Sequence, residues 1–238
     1  MTLDLVVLPR LGGGTIAALD YEPRRSRSVT LVVGHGYSSS KHNLDFLCAF
    51  LAGHGFRVVS VDFPGHKLGS SGGRLASIDD LTDAVAAAVA YARERYGGVV
   101  YTMGHSMGAT TALRACAADP EIAGAISIAT GYGRPNALAA LVRGAVDLRS
   151  AYVDGLTLQE VVAATERVLD DALAGLAGRP VLYIAAERDG MVSRASAMEL
   201  FERAPEPKTF ATIASDHTSA GDSARAAVLA WLGERHAR

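Results

Sequence analysis

Short apolar runs and helical periodicities alternate along the chain almost from end to end. "LDLVVLP" and "TIAALDY" read as an opening pair of strands, with "LGGG" at Leu11 to Gly14 as the hairpin turn between them. "SVTLVVGHG" is Val and Leu up to a glycine stop, which is the pattern of a strand buried on both faces. Leu44, Leu47 and Leu51 fall on one face of a helix predicted from about Asn43 to His54. "FRVVSVDFPG" is the next buried strand. "SIDD" at Ser77 to Asp80 resembles a capping box, and the helix it opens carries Leu81, Val85, Val89, Ala92 and Tyr96 at helical spacing. "GGVVYTM" is a strand followed by a helix from about Met107, and "GAISIAT", "RPVLYIAAE" and "KTFATIA" complete the strands. A last helix, about Ser219 to Arg235, is expected to bury Ala224, Val228 and Trp231. Strand and helix alternating at this spacing predict an α/β fold: a mostly parallel sheet flanked by helices on both faces. There is no internal repeat, linker or boundary, so residues 1–238 read as a single domain.

One stretch breaks the rhythm. About fifty residues separate the strand ending near Thr130 from the one starting near Pro180, far more than an ordinary crossover. "TLQE" at Thr157 to Glu160 is a T-x-x-E capping box opening a helix with Leu158, Val161, Val162, Val168, Leu169, Ala172 and Leu176. The less regular part, Gly133 to Asp154, reads as a small lid, within a cap excursion at about 132–178. Such an excursion lies over the carboxyl edge of the sheet, where open α/β folds bind ligands. The "TLQE" helix reads equally well as an ordinary packing helix.

Two pentapeptides fit G-x-S-x-G: "GHSMG" around Ser106 and "GSSGG" around Ser71. A nucleophilic serine of this kind sits on a tight, strained strand-to-helix turn, with small neighbours two residues away on each side. Ser106 has the strand "VVYTM" before it, Gly104 and Gly108 around it, and the helix "MGATTALRACAA" after it. Ser71 lies in the turn-rich "DFPGHKLGS" with no strand leading in, and reads as a loop serine.

A serine hydroxyl needs a base, and the base needs an orienting acid. Of seven histidines, His217 in "IASDHTSAG" stands past the last strand, at the same sheet edge as Ser106. His42, His54, His66 and His236 fall on helices or loops without that placement, and read as solvated or packing residues. For the acid, Asp189 in "AAERDGMVS" is favoured over Glu187 and Asp216, because Ser, Asp, His is the chain order the elbow motif implies. Two donors must face the developing oxyanion. These are the backbone N–H groups of Met107 and Tyr37, with the Tyr37 hydroxyl as a further candidate. Gly36 and His105 border the substrate, His35 braces the loop, and Leu138, Leu141 and Val142, together with Leu148, suggest an apolar acyl pocket.

With "VGHGYSSSKHN", "VDFPGH", "GHSMGA", "ERDGMVS" and "SDH" in this order, the chain resembles the α/β-hydrolase family over nearly its whole length. Its texture is most similar to small serine esterases, lipases and acyl-hydrolases with short lids. The resemblance implies an acyl-enzyme mechanism without cofactor, with Ser106, Asp189 and His217 in the usual roles, acting on a small-molecule ester or acyl substrate. Two departures stand out. The family's "PGxGxS" loop is stretched to "PGHKLGSS", and Ser193 replaces the usual hydrophobic or proline residue after the acid turn.

Composition narrows the partners. Charged residues make up 20% and aromatics 6%, and the formal net charge is -2 with no basic stripe, which points away from nucleic acid. No run of about 18 apolar residues suggests a membrane span, and "MTLDLVVLPRLGGG" is a poor signal peptide. Neither H-x-x-x-H nor C-x-x-C spacing is present, so no metal site is expected. Cys48 and Cys116 are expected as buried thiols, consistent with a reducing, cytoplasmic setting. The leading expectation is hydrolysis of a carboxylic ester or thioester, with activity falling as an ordinary imidazole gains its proton, at about pH 6 to 7. A non-hydrolytic enzyme on the same site (acyltransferase, cyclase or carbon–carbon bond cleavage) and a non-catalytic binding protein stay open beside it. Oligomeric state is left open.

Overall fold

The computed structural model describes residues 1–10, 13–133 and 148–237. The apolar runs become β1 (Thr2–Pro9), β2 (Thr15–Glu22), β3 (Val29–Gly34), β4 (Arg57–Val61), β5 (Val99–His105), β6 (Ala125–Ile128), β7 (Val181–Ala186) and β8 (Lys208–Ile213). Among the described residues they form one eight-stranded sheet in the order β1-β2-β4-β3-β5-β6-β7-β8. β2 pairs antiparallel with β1 and β4. The pairs from β4 through β8 are parallel.

The central strands β3, β5, β6 and β7 are buried nearly throughout because helices cover both faces. On one face Val32, Val59 and Val100 pack with α2 (Asp79–Tyr96), α3 (Met107–Ala118) and α4 (Leu158–Ala174). On the other, Leu31, Val33, Met103 and Ile126 pack with α1 (Asp45–Gly53) and α7 (Arg225–Arg235). Each fully buried Leu, Ile or Val side chain contributes about 1.5–3 kcal/mol. α5 (Arg194–Arg203) follows β7, and its Leu200 joins the first of these cores.

The helix starts follow local chemistry. Asp80 accepts the Ala76 and Ser77 N–H groups at 2.8 Å each, which fixes the entry to α2. The Thr157–Glu160 capping box forms in full and starts α4, a feature worth about 1 kcal/mol. Two expected helices come out differently. The first turn of the predicted Asn43–His54 helix is a 3-10 turn at Lys41–Leu44, with α1 beginning at Asp45. Its start is held by Lys41, whose backbone N–H and Nζ both bond Asp62. The predicted Ser219–Arg235 helix is two pieces, α6 (Ala220–Ser223) and α7, meeting at Ala224. The Ala224 N–H is shared between the Ala220 and Gly221 carbonyls, and that tightens the turn.

The described parts of the 132–178 excursion behave differently from one another. α4 buries Leu158, Val161, Val162, Leu169 and Leu173 in the same core as α3, as a packing helix would. The stretch from Arg149 to Leu156 is instead strapped onto the loop after β4. Lys67 N–H donates to the Tyr152 carbonyl, Asp154 N–H to Gly65, and Leu156 N–H to Leu75. The stretched "PGHKLGSS" loop therefore serves as the anchor of this strap. No helix among the described residues is long and apolar enough to cross a membrane.

Candidate active site

β5 ends on His105, and α3 begins at Met107 with no residue between them except Ser106. Making that reversal forces Ser106 to φ 54° and ψ −112°, a region that costs an L-residue of order 1–3 kcal/mol. The turn closes only because two side chains are missing. A Cβ on Gly104 would collide with the Gly108 carbonyl, and one on Gly108 would collide with the Gly34 carbonyl. Both glycines of the pentapeptide are thus required by close backbone approach, and α3 is pressed against the end of β3.

The Ser106 Oγ lies 3.1 Å from His217 Nε2, and His217 Nδ1 lies 2.8 Å from Asp189 Oδ2. A carboxylate only accepts, so Nδ1 carries the proton and donates to Asp189. Nε2 of the neutral ring is then left to accept from the Ser106 hydroxyl. The other Asp189 oxygen accepts the Met191 and Val192 N–H groups at 2.8 Å each. Burial works to raise the Asp189 carboxyl. The His217 hydrogen bond and nearby charge, with the two amides, outweigh it and hold the group below the usual carboxylate range. Glu187 and Asp216 are both exposed, and Asp216 caps the Ser219 N–H at 2.8 Å instead. Ser193, the departure after the acid turn, accepts the Ser196 N–H at 3.1 Å as the cap of α5.

His105 points away from the serine. Its Nε2 donates to the His217 carbonyl at 2.7 Å, so it positions the backbone of the histidine loop. Gly36 lies against the His105 ring and Ser106, where a Cβ would come within 3.2 Å of His105 Nδ1. Tyr37 follows, and Ser38 takes a positive φ of 57°, a strained step in the loop. The Tyr37 hydroxyl donates to the Leu156 carbonyl at 2.9 Å and lies 3.0 Å from Ser150 Oγ, so it ties the loop to the strap. Met107 opens α3, where backbone N–H groups have no partner inside the helix. Its side chain lines the seam between α3 and α4.

His35 braces the same loop from below. It donates from Nδ1 to the Gly36 carbonyl at 2.7 Å and accepts the Phe63 N–H at Nε2, 3.1 Å away. Full burial, reinforced by neighbouring His66, pushes its imidazole down to about 3 and keeps it neutral. Beside it the Lys41–Asp62 ion pair is buried at 2.6 Å, and Asp62 also accepts the Ser70 N–H at 2.7 Å. Ser71 belongs to this scaffold: its Oγ donates to the Asp62 carbonyl at 2.7 Å and accepts the Ala17 N–H at 2.9 Å.

Ser106 and His217 open into a cleft of about 200 Å³. Leu138, Leu141 and Val142 lie outside the described residues, and Leu148 is 71% exposed. Residues not singled out from the sequence line the cleft: Ser38, Ser39, Asn43, Arg149, Met191 and Thr218. Asn43 closes the "VGHGYSSSKHN" segment and Thr218 follows "SDH", while Arg149 sits in an aperiodic stretch with no motif.

The model of the family described as serine aminopeptidase, S33, matches residues 25–160, more than half the chain and including the loop after β3 and the Ser106 turn. The chain belongs to this α/β-hydrolase family. The S33-type chain is also 32% identical over 113 residues to a serine hydrolase-like protein of Dictyostelium discoideum, covering 46% of this chain; it spans only 30% of that relative's length. Its fold matches an esterase of Pyrococcus furiosus with TM-score 0.74 at 19% identity, over 99% of this chain and 90% of that one. The esterase domain of a Rhodothermus marinus protein matches with TM-score 0.73 at 24% identity, over 99% of both chains. At these identities the structural likenesses establish the α/β-hydrolase fold.

Proposed function

We propose that this chain is a serine hydrolase cleaving carboxylic esters, with thioesters as the related class, through a covalent acyl-enzyme. The observation that carries the reading is the hydrogen-bonded line Asp189–His217–Ser106, at 2.8 and 3.1 Å, with the serine strained at the elbow. The esterases among its structural neighbours support the substrate class.

In the first half-reaction His217 Nε2 takes the hydroxyl proton as Ser106 Oγ bonds to the substrate carbonyl carbon. Negative charge moves onto the carbonyl oxygen, where the N–H groups of Met107 and Tyr37 receive it. The tetrahedral intermediate collapses by breaking the bond to the leaving oxygen or sulfur. His217 returns its proton to that atom, and the alcohol or thiol departs. Water then repeats the cycle on the acyl-enzyme: its proton goes to Nε2, its oxygen bonds to carbon, and Ser106 leaves with the proton restored. Asp189 stays ionised throughout, holding Nδ1–H in place and stabilising the imidazolium. No metal or cofactor enters these steps.

Turnover of a panel of para-nitrophenyl esters and acyl thioesters tests the reading, with Ser106→Ala and His217→Ala alongside. Hydrolysis by the wild type, lost in both variants, is the expected result. A well-folded wild type that turns over none of them contradicts it and brings forward transfer to another acceptor, or binding without chemistry.

A further inference from the structure

We infer that Arg149 forms an anion subsite at the rim of this cleft, and that the preferred ester carries a negatively charged group, such as a carboxylate, near its scissile bond. The inference rests on the serine hydrolase reading above and adds the chemical class of the substrate.

Arg149 lines the same cleft as Ser106 and His217. Its hydrogen bond goes to the Met191 thioether, 3.1 Å away, and a thioether sulfur is a weak acceptor. Among the described residues no carboxylate lies within ion-pair distance of it, although most other arginines whose heads reach a neighbour find an acid or a backbone carbonyl. An arginine held by sulfur at a cleft mouth exchanges that contact for a charge-assisted, two-pronged bond when an anion enters.

Its position is set by the fold. The Arg149 carbonyl accepts the Tyr152 N–H at 3.1 Å, starting the 3-10 turn Ser150–Tyr152. Ser150 Oγ reaches the Tyr37 hydroxyl, and the strap beyond is fastened to Lys67 and Gly65. The residue proposed to supply an oxyanion donor therefore registers Arg149 against the reacting centre. The rest of the cleft suits the same ligand: Ser38, Ser39, Asn43 and Thr218 add hydroxyl and amide groups, against Leu158 and Met191 on the apolar side. A positive rim also repels a substrate ammonium, which sets this cleft apart from one built to receive a free amino terminus.

The test compares matched esters, one charged and one neutral, in wild type, Arg149→Ala and Arg149→Glu. For a charge on the acyl side the pair is para-nitrophenyl hemiglutarate and para-nitrophenyl pentanoate. For a charge on the leaving group it is para-acetoxybenzoate and para-acetoxybenzamide. Labelling of Ser106 by a neutral fluorophosphonate reports the machinery itself. The expected result is that the wild type favours the charged member of one pair, which identifies the side. Arg149→Ala should lower kcat/KM for that ester by about tenfold to a hundredfold while the neutral ester and the labelling change little. Arg149→Glu should invert the preference. Unchanged charged-to-neutral ratios in both variants, with labelling intact, overturn the anion subsite and leave the hydrolase reading standing. No turnover of any of the four esters together with no labelling overturns the hydrolase reading, and the subsite with it.

Discussion

Two segments of this chain fit the same G-x-S-x-G pattern, and they have little else in common. Around Ser106 the glycines are demanded by backbone collisions, the serine sits at a positive φ, and a histidine nitrogen waits 3.1 Å from its oxygen. Around Ser71 a Cβ on Gly69 would strike the Asp62 side chain and one on Gly73 would meet open space, so no backbone collision closes the turn, and the hydroxyl is spent on a backbone carbonyl and a backbone amide. The first serine is strained and hydrogen-bonded to a histidine, while the second is satisfied by the backbone. G-x-S-x-G thus names a permissive backbone, and what the serine does depends on which elements flank it and what reaches it from elsewhere in the chain.

The sharpest way to break this contrast is to remove each hydroxyl in turn. Ser106→Ala is expected to lower ester hydrolysis by on the order of 10⁴-fold or more, whereas Ser71→Ala should keep kcat within about twofold. Steady-state kinetics on one ester reads both. The scaffold that Ser71 joins gives the next largest effect. Asp62→Asn leaves the buried Lys41 ammonium without its counter-charge and should cost about 3–5 kcal/mol in denaturant unfolding. The glycines follow: Gly108→Ala drives a methyl into the Gly34 carbonyl and should cost about 3 kcal/mol. Gly73→Ala faces only its φ of 87° and should cost about 1 kcal/mol.

Acid separates the regions more gently. The folded imidazole of His35 titrates far below an unfolded one, so between about pH 6.5 and about 3 the unfolded chain binds the extra proton. Stability should therefore be full above pH 6.5 and decline as pH falls, by at most about 1.4 kcal/mol per pH unit from this group. Asp189, also held low, adds its loss further down, as pH falls from the ordinary carboxylate range through the lowered folded value. Thermal melts from pH 7 to 4 check this. A curve that is flat down to pH 4 contradicts the neutral, buried His35. The stability cost of Ser71→Ala, about 1 kcal/mol for its two backbone bonds, is as small as that of Gly73→Ala.

What could be read in the sequence was whatever short-range pattern controls. Val–Leu runs stopped by glycine gave the strands, the T-x-x-E box gave the start of α4, and a strand running into Gly104–Gly108 gave the elbow. The partners His217 and Asp189 could be named because a parallel sheet brings the ends of its strands to one edge, however far apart they lie in the chain. Long-range side-chain choices left no such pattern. Nothing near Lys41 indicates that Asp62 will shorten the start of α1. Nothing in the irregular "DLRS" indicates that the strap will carry Arg149 to the cleft, because its register is fixed by Lys67, Gly65 and Tyr37. The break at Ala224 likewise left no local pattern; just before it Gly221 lies so close to Leu44 that a Cβ would not fit.

The central claim is that one of two motif serines is activated and the other is not. Covalent labelling by a fluorophosphonate, read by intact mass and peptide mapping, tests it most directly. The account predicts one adduct per chain, on the peptide containing Ser106, retained in Ser71→Ala and lost in Ser106→Ala. An adduct on Ser71, or none on folded wild-type protein, would contradict it.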